Sequence, residues 1–240
     1  MKAMIFAAGL GTRFKPWTDH HPKALAIVNG RSLLQRNIEY LQKFNITDVV
    51  VNVHHFREQI ITTIEENKGW GSNIIISDEK DEVLETGGGL IKAKDLLRSS
   101  EQFFTLNVDI LSNLDLNELI TFHQKKDALI SLCIAERETS RFLLFNEENR
   151  LCGWRNVKGN EKVEKIVLPD ENLNQKAYSG IAIFKTEVLD LIPFSGKFSL
   201  IDVYLHLTKD KLITGFDHTG DKWVDVGRPE SVQVAEELFK

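Results

Sequence analysis

Residues 7–16 read Ala7-Ala8-Gly9-Leu10-Gly11-Thr12-Arg13-Phe14-Lys15-Pro16 and close a short apolar run that begins at Lys2. Closely spaced glycines let a backbone turn sharply and approach a ligand. Backbone N–H groups in such a loop can cradle phosphate oxygens, and Arg13 offers a planar, permanently charged fork to the same oxygens. The chemistry this points to is nucleotide binding. Two common phosphate loops do not fit. The dinucleotide fingerprint needs a third glycine where Phe14 stands, and the P-loop needs a Gly-Lys-Ser/Thr step that is absent.

Other segments could share this chemistry. Leu84-Glu85-Thr86-Gly87-Gly88-Gly89 opens a helical segment with consecutive glycines, which are poor in any regular element but suit a backbone touching a ligand at a helix N-terminus. Leu106-Asn107-Val108-Asp109 ends a strand on a carboxylate, a good place for Mg²⁺ at the carboxyl edge of a parallel sheet. Trp223-Val224-Asp225-Val226-Gly227-Arg228-Pro229-Glu230 supplies a second carboxylate, Asp225. Helix capping explains it poorly, because Pro229 at a first-turn position makes Arg228 or Gly227 the better cap. His54-His55 is not read as a metal pair, since adjacent side chains diverge; polar packing or a solvated strand end fits better. Trp17, Trp70 and Trp154 read as core or rim aromatics, and Lys92, Lys94 and Arg98 as a solvated helix face.

The elements that must position these residues alternate along the chain. Strand patterns cover Lys2–Ala8, Asp48–Val53, Asn73–Ser77, Phe103–Val108 and Ala128–Ala135. Helical spacing covers Leu33–Phe44, Phe56–Asn67, Gly89–Arg98 and Leu116–Lys125. Such alternation predicts βαβ units and a mainly parallel sheet, with the loops after the first and fourth strands on one carboxyl edge. After about Arg141 the pattern turns β-rich. Strands are expected over Arg141–Val157, with a turn at Asn156–Asn160, and over Glu161–Val167, Ala177–Phe184, Lys211–Phe216 and Lys222–Asp225. Helices are expected at Ser199–Thr208 and Pro229–Phe239.

Bulk composition sets the bounds. With 240 residues and 42% hydrophobic content, the chain can bury a sizeable core. A net charge of −5 with interspersed signs shows no basic stripe for nucleic acid. Cys133 and Cys152 have no metal spacing and cannot staple a chain this long, so a reducing, cytoplasmic setting is expected. No segment has the length of a membrane span or the form of a signal peptide. No long apolar stripe marks a subunit interface; a monomer and a homo-oligomer both fit.

Taken together, Gly9-x-Gly11-Thr12-Arg13-x-x-Pro16-x-Thr18-x-x-x-Pro22-Lys23 resembles the signature of the sugar-1-phosphate nucleotidyltransferases, the nucleotide-sugar pyrophosphorylases. The form Leu84–Gly89 is similar to that of the N-acetylmuramate-1-phosphate uridylyltransferases and some mannose-1-phosphate guanylyltransferase-like members. The resemblance spans nearly the whole chain. It implies an α/β fold: a Rossmann-like three-layer sandwich with a mainly parallel central sheet and a β-rich sugar-binding half. The whole would be a single nucleotidyltransferase domain over 1–240, with nucleotide-binding residues about 1–135 and sugar-binding residues plus a closing helix about 136–240.

The same resemblance assigns roles. Arg13 and Lys23 would be catalytic, stabilising phosphate charge. Ala7, Ala8, Gly9, Gly11, Thr12, Glu85, Thr86 and Gly87 would bind the nucleotide. Asn107, Gly180 (in Tyr178-Ser179-Gly180-Ile181) and Lys197 (in Lys197-Phe198-Ser199-Leu200) would face the sugar phosphate. Asp109 and Asp225 would be the Mg²⁺ ligands. The implied reaction is Mg²⁺-dependent transfer of a nucleoside monophosphate from an NTP, with UTP favoured, to a sugar-1-phosphate. Val108 departs from the pattern, which has glycine there, and would crowd bound sugar or nucleotide. Acetyl-CoA chemistry is not expected, because the hexapeptide-repeat extension of some relatives is missing. A choline-phosphate-type cytidylyltransferase, a molybdenum-cofactor guanylyltransferase and a non-catalytic nucleotide-sugar-binding subunit stay open as alternatives.

Overall fold

The structure is a computed structural model that describes residues 1–159 and 161–240. In chain order, β1 (Lys2–Phe6) leads through the glycine loop to the short strands β2 (Ile27–Val28) and β3 (Arg31–Ser32) and to helix α1 (Leu33–Gln42). Then follow β4 (Asp48–Val53), α2 (Arg57–Glu66), β5 (Asn73–Asp78), α3 (Glu85–Lys92) and α4 (Lys94–Leu97). Next are β6 (Gln102–Asn107), β7 (Ile110–Ser112), α5 (Leu116–Lys126) and β8 (Ile130–Ala135). The remainder is β9 (Arg141–Phe145), β10 (Leu151–Lys158), β11 (Glu161–Ile166), β12 (Asn174–Lys185), α6 (Val188–Leu191), α7 (Leu200–Leu207), β13 (Ile213–Asp217), β14 (Trp223–Asp225) and α8 (Glu230–Leu238).

Strand β1 is apolar on both faces because both are covered. Ala3 and Ile5 pack into one buried cluster, while Met4 and Phe6 pack into the other. The first cluster also takes Leu34, Ile38 and Leu41 of α1, Ile60 of α2, Leu119 of α5 and Ala235 of α8. The second takes Leu90 of α3, Leu97 of α4, Val188 of α6 and Val203 and Tyr204 of α7. The sheet is thus the middle of the three expected layers.

In the ten-stranded sheet, β5, β4, β1 and β6 run parallel. Long β12 closes antiparallel against β6 and β8, and β8 carries β13 in parallel. The start of β12 pairs with β9, which leads through β10 to β11 in an antiparallel extension. One sheet therefore links the βαβ half to the β-rich half. Side chains cap several helices: Ser32 Oγ accepts from Gln35 N–H (3.1 Å), Asp115 from Asn117 N–H (2.8 Å) and Ser199 from Ile201 N–H (3.2 Å).

Two expectations shift. The helix read over Gly89–Arg98 begins at Glu85 and breaks at Ala93. Its glycines are inside the helix because α3 is pressed against residues 196–198: a Cβ on Gly87 would overlap the Phe198 ring, and one on Gly88 the Gly196 carbonyl. The turn read at Asn156–Asn160 overlaps β10, which runs to Lys158. Asn156 and Val157 stay in β10, paired with Val163 and Lys162, and Asn160 lies outside the described residues. β7 escapes a periodicity argument because it spans only Ile110–Ser112.

Candidate active site

Parallel pairing sets Phe6 beside Asn107, so the loops after β1 and β6 leave the sheet together. Val108 N–H donates back to the Phe6 carbonyl (3.2 Å). Buried Asn52, near the end of β4, ties the neighbouring loops. Its Oδ1 accepts from Ala7 N–H (2.7 Å) and its Nδ2 donates to Glu79 Oε1 (2.6 Å). Glu79 Oε2 in turn accepts from Leu84 N–H (2.9 Å), just before α3. Four chain segments are thus held at one edge by one buried polar relay.

Within the glycine loop, Gly11 has φ 63°, and a Cβ there would stand 2.8 Å from Thr18 Cγ2. The Thr18 hydroxyl donates to Gly11 O (2.9 Å). A short 3₁₀ turn, Thr12–Phe14, follows, and its buried Phe14 meets Trp17 edge-on at 5.8 Å. Arg13 springs from this anchored turn. Its Nη2 would lie 2.9 Å from a Cβ placed on Gly227, beside Asp225.

The two aspartates meet through the small β7–β14 ribbon. Ile110 pairs with Asp225, and Val226 N–H donates to the Asp109 carbonyl (2.8 Å). Lys23 Nζ forms an ion pair with Asp109 Oδ2, with both side chains largely buried. Asp225 Oδ1 is buried with no hydrogen-bond partner. Burial raises the Asp225 carboxyl above its ordinary value; the negative charge of Asp109 adds to this, and the Arg13 and Lys23 cations oppose it. An orphaned carboxylate oxygen beside a second carboxylate is a donor set suited to a hard divalent cation whose remaining ligands come from substrate and water. Among the described residues, no third His, Cys, Asp or Glu joins the pair.

Two cavities adjoin here. One of about 210 Å³ is lined by Ala7, Ala8, Gly9, Lys23, Glu85 and Thr86. The other, of about 530 Å³, is lined by Arg13, Gly180 and Asp225 and by residues of β9, β12 and α7. Thr86, Asn107 and Asp109 line both. Gly180, at φ 76°, lies at a register break of β12, and a Cβ there would stand 2.8 Å from Ile110 Cγ1 and 3.0 Å from Asn107 Nδ2.

Four expected residues fall outside the cavity walls. Gly11 and Thr12 form the turn that leads into the Thr12–Phe14 3₁₀ segment. Gly87 is buried, with its N–H donated to Phe198 O (2.9 Å). Lys197 is exposed, and its ammonium lies 4.0 Å from Glu85 rather than along the larger cavity. Val108 packs into the core cluster and is only 3% exposed, so it contributes a thin strip to the smaller cavity. His54 and His55 diverge, to Glu79 O (2.6 Å) and Thr18 O (3.4 Å). Sequence reasoning missed Asn52, Arg137 and Arg141. The last two lie in the charged stretch Glu136–Arg141 and line the larger cavity. Burial lowers the Arg137 guanidinium from its ordinary value, and Asp225 opposes that shift.

Comparison with known proteins gives a consistent picture. The nucleotidyl transferase family profile matches residues 2–239. The chain is 30% identical to an N-acetylmuramate alpha-1-phosphate uridylyltransferase of Caulobacter vibrioides, over 98% of this chain and 95% of that one. It is 28% identical to a mannose-1-phosphate guanyltransferase of Saccharomyces cerevisiae, over 96% of this chain and 62% of that longer one. Among solved structures, HddC from Yersinia pseudotuberculosis, complexed with GMP-PN, shares the fold with a TM-score of 0.79 at 24% identity, covering 100% of this chain and 99% of that one.

Proposed function

The chain belongs to the nucleotidyl transferase family, as an enzyme of the sugar-1-phosphate nucleotidyltransferase type, and we propose that it transfers a nucleoside monophosphate from UTP to a hexose or N-acetylmuramate 1-phosphate. The observation that carries this reading is the meeting of Lys23, Asp109 and Asp225 where the two cavities join. The smaller cavity, built by about residues 1–135, would take the nucleotide. The larger one, walled mainly by residues 136–240, would take the sugar phosphate. UTP is favoured by the form of Leu84–Gly89 and by the 30% identical uridylyltransferase.

An oxygen of the sugar phosphate would attack the α-phosphorus, forming one P–O bond as the bond to the β-phosphate breaks. Pyrophosphate leaves with that electron pair. The attacking phosphate is already ionised at neutral pH, so the chain need not provide a strong base. Its work is positioning and charge stabilisation. The glycine loop and Thr86 would hold the nucleotide. Lys23 and Arg13 would face the charge that builds on the phosphates. Gly180 would let the sugar lie against backbone, with Asn107 beside it. Asp109 and Asp225 would hold Mg²⁺, which would offset phosphate charge and orient both substrates when bound. The two free, buried thiols, Cys133 and Cys152, support a cytoplasmic setting.

The test is pyrophosphate release from the four common NTPs and dTTP against a panel of sugar 1-phosphates with Mg²⁺. One NTP–sugar pair should dominate, and Asp109→Asn should lose roughly 100-fold or more of the rate. Nucleotide binding without release from any pair would overturn the proposal.

A further inference from the structure

Arg137 stands two residues beyond β8 and forms no ion pair among the described residues. Its guanidinium carbon lies 3.9 Å from the centroid of the Trp223 ring, and Nη2 donates to the Tyr178 carbonyl (2.7 Å). Trp223 is itself fixed, its Nε1–H donating to Ser179 O (2.9 Å). Two rigid contacts therefore set the plane of the guanidinium, and neither neutralises it. Its Nε is buried with no hydrogen-bond partner.

Glu136 and Glu138 flank Arg137 in sequence, and neither forms an ion pair with it among the described residues. Glu136 pairs with Lys176 at 2.7 Å, and the same ammonium holds Asp217 at 2.8 Å. No ion pair among the described residues includes Arg137, Arg141 or Arg13, yet all three line the larger cavity. Partly burying a guanidinium with no carboxylate in ion-pair contact is costly, so the arrangement fits a site that receives an anion with its ligand. Trp223 lies two residues before Asp225, so Arg137 is stationed next to the acid pair. Lys197, the cation expected from sequence to meet the sugar phosphate, lies outside this cavity.

We propose that Arg137 binds the phosphate of the incoming sugar 1-phosphate, with Arg141 at the cavity wall adding a second cation. The inference rests on the nucleotidyl-transfer reading of the site. Charge supports the division of labour. Lys23 lines the smaller cavity given to the nucleotide, and Arg13 reaches the acid pair beside Asp225, which leaves Arg137 and Arg141 for the dianionic sugar phosphate. The planar fork suits two phosphate oxygens at once, which a lysine cannot copy.

Steady-state kinetics of Arg137→Gln and Arg137→Lys, with each substrate varied in turn, test this. In Arg137→Gln the KM for the sugar phosphate should rise about 10- to 100-fold, with the KM for the NTP within about twofold of wild type. Arg137→Lys should recover only part of the loss. Thermal midpoints distinguish a role in merely propping up Trp223, which would lower them and raise both KM values. That pattern, or an unchanged sugar-phosphate KM, would overturn the assignment. If the wild type releases no pyrophosphate, the nucleotidyl-transfer reading fails. Calorimetric titration with mannose 1-phosphate and N-acetylmuramate 1-phosphate then decides on Arg137 separately: binding lost in Arg137→Gln supports its role, while equal binding, or none in the wild type, refutes it.

Discussion

At Asp225 the fold holds a carboxylate where burial and the neighbouring Asp109 both resist its ionisation. A carboxyl raised in the folded state keeps its proton to higher pH than in the unfolded chain. Stability from this group is therefore fully present below the ordinary carboxylate range and declines as pH rises from there through the raised folded value. At neutral pH the ionised side chain burdens the metal-free protein. Asp225→Asn should therefore abolish pyrophosphate release while leaving the thermal midpoint in chelator-treated buffer unchanged or raised; a lowered midpoint would show that the carboxylate is structural. Arg13, Lys23, Asp109 and Asp225 were legible in the sequence because each sits in a motif whose residue types have few other uses. Arg137 was not. It stands between Glu136 and Glu138 in an ordinary charged stretch, and its lack of an ion pair belongs to the folded chain, where Lys176 holds Glu136.

At the scale of elements, β12 shows how one position serves both fold and site. Its register slips between Tyr178 and Ala182, and Gly180 occupies the left-handed region there. Gly180→Ala should cost about 1–3 kcal/mol, because the added methyl is strained at that φ and meets Ile110 and Asn107. Denaturant titration checks this, and a change under about 0.5 kcal/mol would mean that the strand relaxes freely. The triple glycine of α3 teaches the converse. It was read as a helix N-terminus touching a ligand, whereas packing against residues 196–198 accounts for Gly87 and Gly88. Composition alone cannot tell a backbone that approaches a ligand from one that approaches another backbone. Helix starts at Ser32, Asp115 and Ser199 were more legible, since capping is local chemistry. β7, only Ile110–Ser112, was invisible, although it brings the two aspartates together.

Over the whole molecule, the alternation of strand and helix patterns carried the βαβ units and the parallel strands, while the three-layer architecture came with the family resemblance. The alternation could not show that β12 would run antiparallel beside β6 and join both halves in one sheet, because strand order depends on long-range pairing. Among the described residues, no helix is long and apolar enough to cross a membrane. Far from the acid pair, His123 of α5 bonds Ser131 of β8 (2.8 Å) in the interior, and burial first, then Lys185, lower it to about 4. A histidine kept neutral in this way contributes stability that is full above its ordinary value near 6.5 and is lost as pH falls from there through 4. His123→Gln should flatten that part of the stability profile by at most about 3 kcal/mol, read by denaturant midpoints from neutral pH to 4; a parallel profile would assign the acid sensitivity elsewhere. The most direct test of the central claim is phosphorus NMR of the wild-type protein with Mg²⁺, UTP and N-acetylmuramate 1-phosphate. Pyrophosphate and a nucleotide sugar appearing in equal amounts is the predicted result. Inorganic phosphate without a nucleotide sugar, or no change in either substrate, would contradict it.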